Sequence, residues 1–112
     1  MRKILWMAML AIFTMPAFAA EATYTNVPVV DVACSKKAVE NPDAHTRACA
    51  MQCQGSGYGI VTEDQKFLKL DANGNKKVLA ELKKSDKKDH LRVDVSGDVE
   101  GDTLKVKSIK LL

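Results

Sequence analysis

The chain has 112 residues, a formal charge of +3, 46% apolar residues and three cysteines, a size that fits one small domain and excludes two separate hydrophobic cores. Its basic character is concentrated at the start. Arg2 and Lys3 precede an apolar run over residues 4–13, and Pro16 leads into Ala17-Phe18-Ala19, the three-part pattern of a secretory leader with small residues before the cleavage point.

Cleavage after Ala19 is expected. It would remove 19 of 112 residues and two of 17 basic side chains, leaving 93 residues with 15 basic against 14 acidic groups. Trp6, Phe13, Phe18 and all methionines but Met51 go with the leader, so Tyr24, Tyr58 and Phe67 are the remaining aromatics. The apolar run is shorter than the roughly 20 residues a bilayer span needs. Cys34 lies well downstream of the cleavage point, so no lipid anchor is expected. Together these features imply a soluble protein, periplasmic or secreted, with no membrane anchor after processing.

In chain order, residues 23–33 are rich in β-branched side chains but carry Pro28, and read as an interrupted or edge strand. Asn41 and Pro42 then offer a helix start, and the alanines up to the Gly55-Ser56-Gly57 stop predict a helix over residues 42–52 or 42–53. Residues 58–62 and 66–70 read as a hairpin around a polar turn. Val78, Leu79 and Leu82 recur at helical spacing through residues 75–84, with lysines on the opposite face. From Leu91 the period becomes two, with a turn expected over residues 97–102 and a returning strand through Leu104, Val106 and Ile109. The parity change after Val106 predicts a bulge near Ser108, or an end covered on both faces.

The order β-α-β-β-α-β-β, without the first helix, is that of the small five-stranded OB barrel, in which a helix between the third and fourth strands plugs one end. The fold class is therefore mainly β with two helices, in one domain over residues 20–112 with an inserted Cys/His segment at about residues 34–55. An open α+β sheet with both helices on one face is the competing arrangement.

Several stretches carry a resemblance. Val30-Asp31-Val32-Ala33-Cys34, His45-x3-Cys49-x3-Cys53, Gly57-Tyr58-Gly59-Ile60-Val61 and His90-Leu91-Arg92-Val93 are followed by Val95-x-Gly97-x-Val99-x-Gly101-Asp102-Thr103-Leu104-x-Val106. Together they resemble small secreted bacterial proteins of an uncharacterised OB-fold-like family with a Cys/His insert. The last of these stretches is also similar, more weakly, to periplasmic bacterial OB-fold proteins. The resemblance implies fold and export more than an activity. Where members often have glycine after the first cysteine, this chain has Ser35, which implies a different local turn.

Cys34, His45, Cys49 and Cys53 are the residues with the most chemistry. On a continuous helix, His45, Cys49 and Cys53 would form one stripe, with adjacent Cα atoms about 6 Å apart and the outer pair about 12 Å apart. One i,i+4 pair is thus easily offered to a metal, and Cys34 with a bent helix would complete a Cys3His site suited to zinc or cuprous copper. The alternative is a disulfide from Cys34 to Cys49 or Cys53, which would stabilise a small domain by about 3 kcal/mol through loop closure. A redox role for Cys49 and Cys53 lacks the CxxC motif and its βαβ setting.

Other signals point to structure. Asp71-Ala72-Asn73-Gly74-Asn75 opens like a calcium loop, but Lys76 and Leu82 stand where glycine and glutamate are needed, so a turn with a helix cap is expected. Lys83, Lys84, Lys87 and Lys88 are interrupted by Asp86 and Asp89, and few aromatics are present for base stacking, which argues against nucleic-acid binding. His90 starts a strand and is expected to be structural. No nucleophile triad, phosphate loop or HExxH occurs. The expected function is a non-enzymatic exported module that binds a soft metal ion, or a disulfide-stapled scaffold for a small ligand or envelope protein.

Overall fold

The computed structural model describes residues 20–112, and the expected leader over residues 1–19 lies outside the described residues. Five strands form a closed barrel: β1 (Ala20–Asp31), β2 (Tyr58–Val61), β3 (Phe67–Leu70), β4 (Arg92–Glu100) and β5 (Thr103–Leu111). Around the barrel they run β1-β2-β3-β5-β4, with β4 closing back onto β1. All neighbours are antiparallel except β3 and β5, which pair in parallel through Lys69/Thr103 and Leu70/Leu104. This is the OB-like arrangement expected from the element order, and closure pairs edges that so small a sheet would otherwise leave open.

β1 serves two neighbours in succession. Its first half is largely exposed and pairs with β4 alone, a bulge falls between Tyr24 and Val27, and Asn26 there takes φ of 53°. Beyond the bulge Val27–Asp31 are all buried and pair with both β4 and β2. Pro28 thus sits next to an irregularity, where a missing ladder donor is tolerated. The strand ends at Asp31, two residues short of the expected end, because the Asp31 carboxylate accepts a hydrogen bond from the Cys34 amide and turns the chain into a 3-10 turn at Val32–Cys34.

The insert between β1 and β2 differs from its sequence reading. A short helix α1 (Ser35–Ala38) packs Ala38 and Val39 over Val30, Val61 and Phe67, which explains why Val30 and Val61 are buried on the barrel's outer face. The helix expected over residues 42–53 is interrupted: a 3-10 turn covers Pro42–Ala44, His45 and Thr46 are extended, and α2 spans only Arg47–Gln52. Thr46 causes the restart, since its side chain accepts from the Cys49 amide as an N-cap. The single stripe of His45, Cys49 and Cys53 therefore does not exist.

α3 (Ala72–Lys84) begins three residues earlier than its apolar spacing suggests, because Asp71 caps it by accepting from the Gly74 amide at 2.9 Å. Gly74, Val78 and Leu82 form its buried face, and a Cβ at Gly74 would lie 2.5 Å from Val106, so the glycine lets helix and β5 touch. The last hairpin also departs from expectation. Its turn is confined to Gly101-Asp102, while residues 97–100 continue β4. Gly97 is needed for close approach and not for a turn: a Cβ there would lie 2.0 Å from the Lys105 carbonyl. The register passes from Ser96/Ser108 to Gly97/Val106, which leaves Lys107 as the extra residue of the bulge expected near Ser108.

The main core lies inside the barrel, with Ile60, Leu82, Leu91 and Leu104 among its least exposed members. Among the described residues no helix is long and apolar enough to cross a membrane.

Candidate metal centre

At the end of β1 the chain buries a carboxylate beside two thiols. Asp31 is 0% exposed, and ligand atoms of Asp31, Cys34 and Cys53 lie within 4.8 Å of one another. Each arrives by a different local device. Asp31 is the last residue of β1, paired in register with Tyr58. Cys34 closes the 3-10 turn that Asp31 itself caps. Cys53 is the C-cap of α2, its amide donating to the Cys49 carbonyl at 3.0 Å.

Ser56 ties the two cysteine-bearing segments together: its hydroxyl donates to the Cys53 carbonyl at 2.8 Å and accepts from the Ala33 amide at 3.2 Å. Val32 adds a main-chain bond to Gly57 at 2.9 Å. Below them, the Tyr58 hydroxyl donates to the Ala50 carbonyl at 2.8 Å and fixes α2 to the barrel. The thiols are thus held by backbone on both sides.

His45 enters from the break in the insert. Its Nε2 lies 2.5 Å from Asp31 Oδ1, with the imidazole 7% exposed. Both atoms are buried, and each is the other's polar contact. A buried carboxylate beside two thiols is a donor arrangement that a cation can neutralise, and the His45 nitrogen reaches the same carboxylate from the other side. The extended conformation at His45-Thr46 makes this reach possible, so the helix break and the site have the same origin.

Electrostatics agree with a negative centre. Burial, then the Asp31 charge and its hydrogen bond, and finally Cys53, push the Cys34 thiol above its ordinary value. The Tyr58 hydroxyl is raised by burial first and by Asp31 and Cys53 next. Each group resists gaining another negative charge while no cation is near.

Of the four residues singled out in the sequence, the fold brings Cys34 and Cys53 together and places His45 against the same carboxylate. Cys49 is exposed and outside the group. The bond expected from Cys34 to Cys49 or Cys53 is not formed, as all three cysteines are free thiols. Asp31 escaped the sequence reading as a ligand, although a lone carboxylate within Val29-Val30-Asp31-Val32 was a readable sign of a buried charge.

The His45 segment is anchored by a neighbouring ion pair. Arg92 donates from Nε and Nη2 to the two carboxylate oxygens of Asp43 at 2.9 and 2.8 Å, and the His90 amide donates to the Asp43 carbonyl. The Arg92 hydrogen bonds hold the Asp43 carboxyl below its ordinary value, against the opposing effect of burial. A depressed carboxyl contributes stability above the unfolded value of about 3.9 and loses it as pH falls through the folded one. Asp43→Asn is therefore expected to lower the thermal midpoint at neutral pH, by the roughly 1 kcal/mol of a half-exposed pair. The difference should vanish in acid, as a melting series against pH would show.

Protein-family models, curated proteins and solved structures were compared with the chain, and none matches it. The class of protein is thus given by its own geometry: an OB-like barrel with a Cys/Asp group at the mouth of an inserted segment.

Proposed function

We propose that this chain is an exported, non-enzymatic binding module that holds one zinc ion through Asp31, Cys34 and Cys53, with His45 as the fourth donor. The observation that carries the reading is the fully buried Asp31 carboxylate with the Cys34 and Cys53 thiols gathered within 4.8 Å of it, the His45 nitrogen contacting the same carboxylate from the other segment. Two thiolates, an imidazole and a carboxylate form a borderline-soft set of the kind zinc accepts in tetrahedral geometry. Cuprous copper fits less well. The three anionic donors need neutralising in a half-buried place, and a divalent ion cancels two of those charges where a cuprous ion cancels one.

The support for export is the leader-like pattern of Arg2-Lys3, the apolar run over residues 4–13 and Ala17-Phe18-Ala19. A disulfide-stapled scaffold that binds a small ligand or envelope protein through its barrel loops is the second reading, favoured by the proximity of Cys34 and Cys53.

The reduced full chain, purified without chelators and titrated with zinc, is expected to bind one equivalent and to melt at a higher temperature as zinc is added. No uptake and no shift in melting, with all thiols free, would falsify the reading.

A further inference from the structure

We infer that the Cys34/Cys53 pair is also a two-electron redox couple, and that its oxidation by a small-molecule disulfide expels the bound ion. This rests on the zinc reading and assigns that site a regulation. Three observations point to it. The two sulfur atoms lie within 4.8 Å of each other and are free thiols. Both cysteines are half-buried at the ends of short turns and belong to neither hydrophobic cluster, so the barrel need not repack for them to join. A depression of about 300 Å³, lined by Cys34, Lys37, Asn41 and His45 among others, opens onto Cys34 and not Cys53.

That asymmetry orders the steps. The Cys34 thiolate attacks one sulfur of the external disulfide, breaking its S–S bond and releasing one thiolate. Cys53 then attacks the Cys34 sulfur, forming the intramolecular bond and releasing the second thiolate. Two electrons pass from the protein sulfurs to the external disulfide, whose two thiolates take up protons from solvent. The ion leaves because both sulfur donors are consumed in one bond, and Asp31 with His45 alone make a poor zinc site. Lys37 at the mouth favours an anionic oxidant such as glutathione disulfide.

The test uses the zinc-loaded full chain and its Cys49→Ser variant, treated with excess glutathione disulfide. Released zinc is read with a chromophoric chelator, and thiols are mapped by alkylation and mass spectrometry. Both proteins are expected to release one zinc for each Cys34–Cys53 disulfide formed, with a mass loss of two hydrogen atoms in Cys49→Ser relative to its reduced metal-free form. Reduction should restore zinc uptake. Retention of zinc with Cys34 and Cys53 still alkylatable overturns the gate, as does zinc loss that requires Cys49 and disappears in Cys49→Ser. A reduced protein that takes up no zinc overturns the parent reading, and the gate with it. One that binds zinc but keeps it under oxidant overturns the gate alone.

Discussion

Cys34→Ser and Cys53→Ser are each expected to weaken zinc binding by more than about 100-fold, whereas Cys49→Ser should leave it within a few-fold of the parent chain. The asymmetry follows from placement: Cys34 and Cys53 lie in the group with Asp31, and Cys49 is exposed on α2 outside it. Losing even a residue that orients a metal ligand costs about 10–100-fold, and losing a thiolate donor costs more. Serine keeps the size of the side chain, and both positions lie outside the hydrophobic clusters, so the apo fold should persist in all three variants. Calorimetric zinc titration under reducing conditions, with circular dichroism to confirm the fold, measures this. Equal losses for all three substitutions would return the site to the three-cysteine set suggested by spacing.

Leu82→Ala is expected to destabilise the barrel by about 2–5 kcal/mol, lowering the melting midpoint by about 10 °C or more. Leu82 is 0% exposed and lies with Val78 and Gly74 on the face of α3 that enters the main core. Truncation leaves a cavity that a closed barrel cannot easily collapse. The Arg47 Nε bond to the Leu82 carbonyl, at 2.8 Å, involves main chain and should survive. The insert would thus remain attached while the core weakens, so zinc affinity of the folded variant should change little. Denaturant unfolding at a temperature where the variant is still folded checks the stability loss, and a cost below about 1 kcal/mol would contradict the packing described for α3.

How far these features were legible in the sequence varies with their physical origin. The barrel was legible because each element carries a local signal: period two in residues 91–95, the Asp71 cap, and the apolar spacing of Val78 and Leu82. The parity change near Ser108 likewise announced a bulge. Gly97 misled because glycine serves close backbone approach as readily as a turn, and only the position of the Lys105 carbonyl distinguishes the two.

In the insert, alanine-rich composition favoured one long helix, while the competing Thr46 cap broke it. That break releases His45 toward Asp31, a contact between residues 14 positions apart that no periodicity reveals. Three of the four proposed donors, Cys34, His45 and Cys53, were therefore legible from residue type, although His45 and Cys53 were placed on a helical stripe that does not exist. Asp31 is identified by its burial and its closeness to the thiols.

X-ray absorption at the zinc edge of the reduced, zinc-loaded chain tests the centre most directly. Coordination by Asp31, Cys34, His45 and Cys53 predicts a shell of two sulfur atoms at about 2.3 Å and two lighter nitrogen or oxygen atoms at about 2.0–2.2 Å. A shell with three sulfur atoms, or with none, would contradict it.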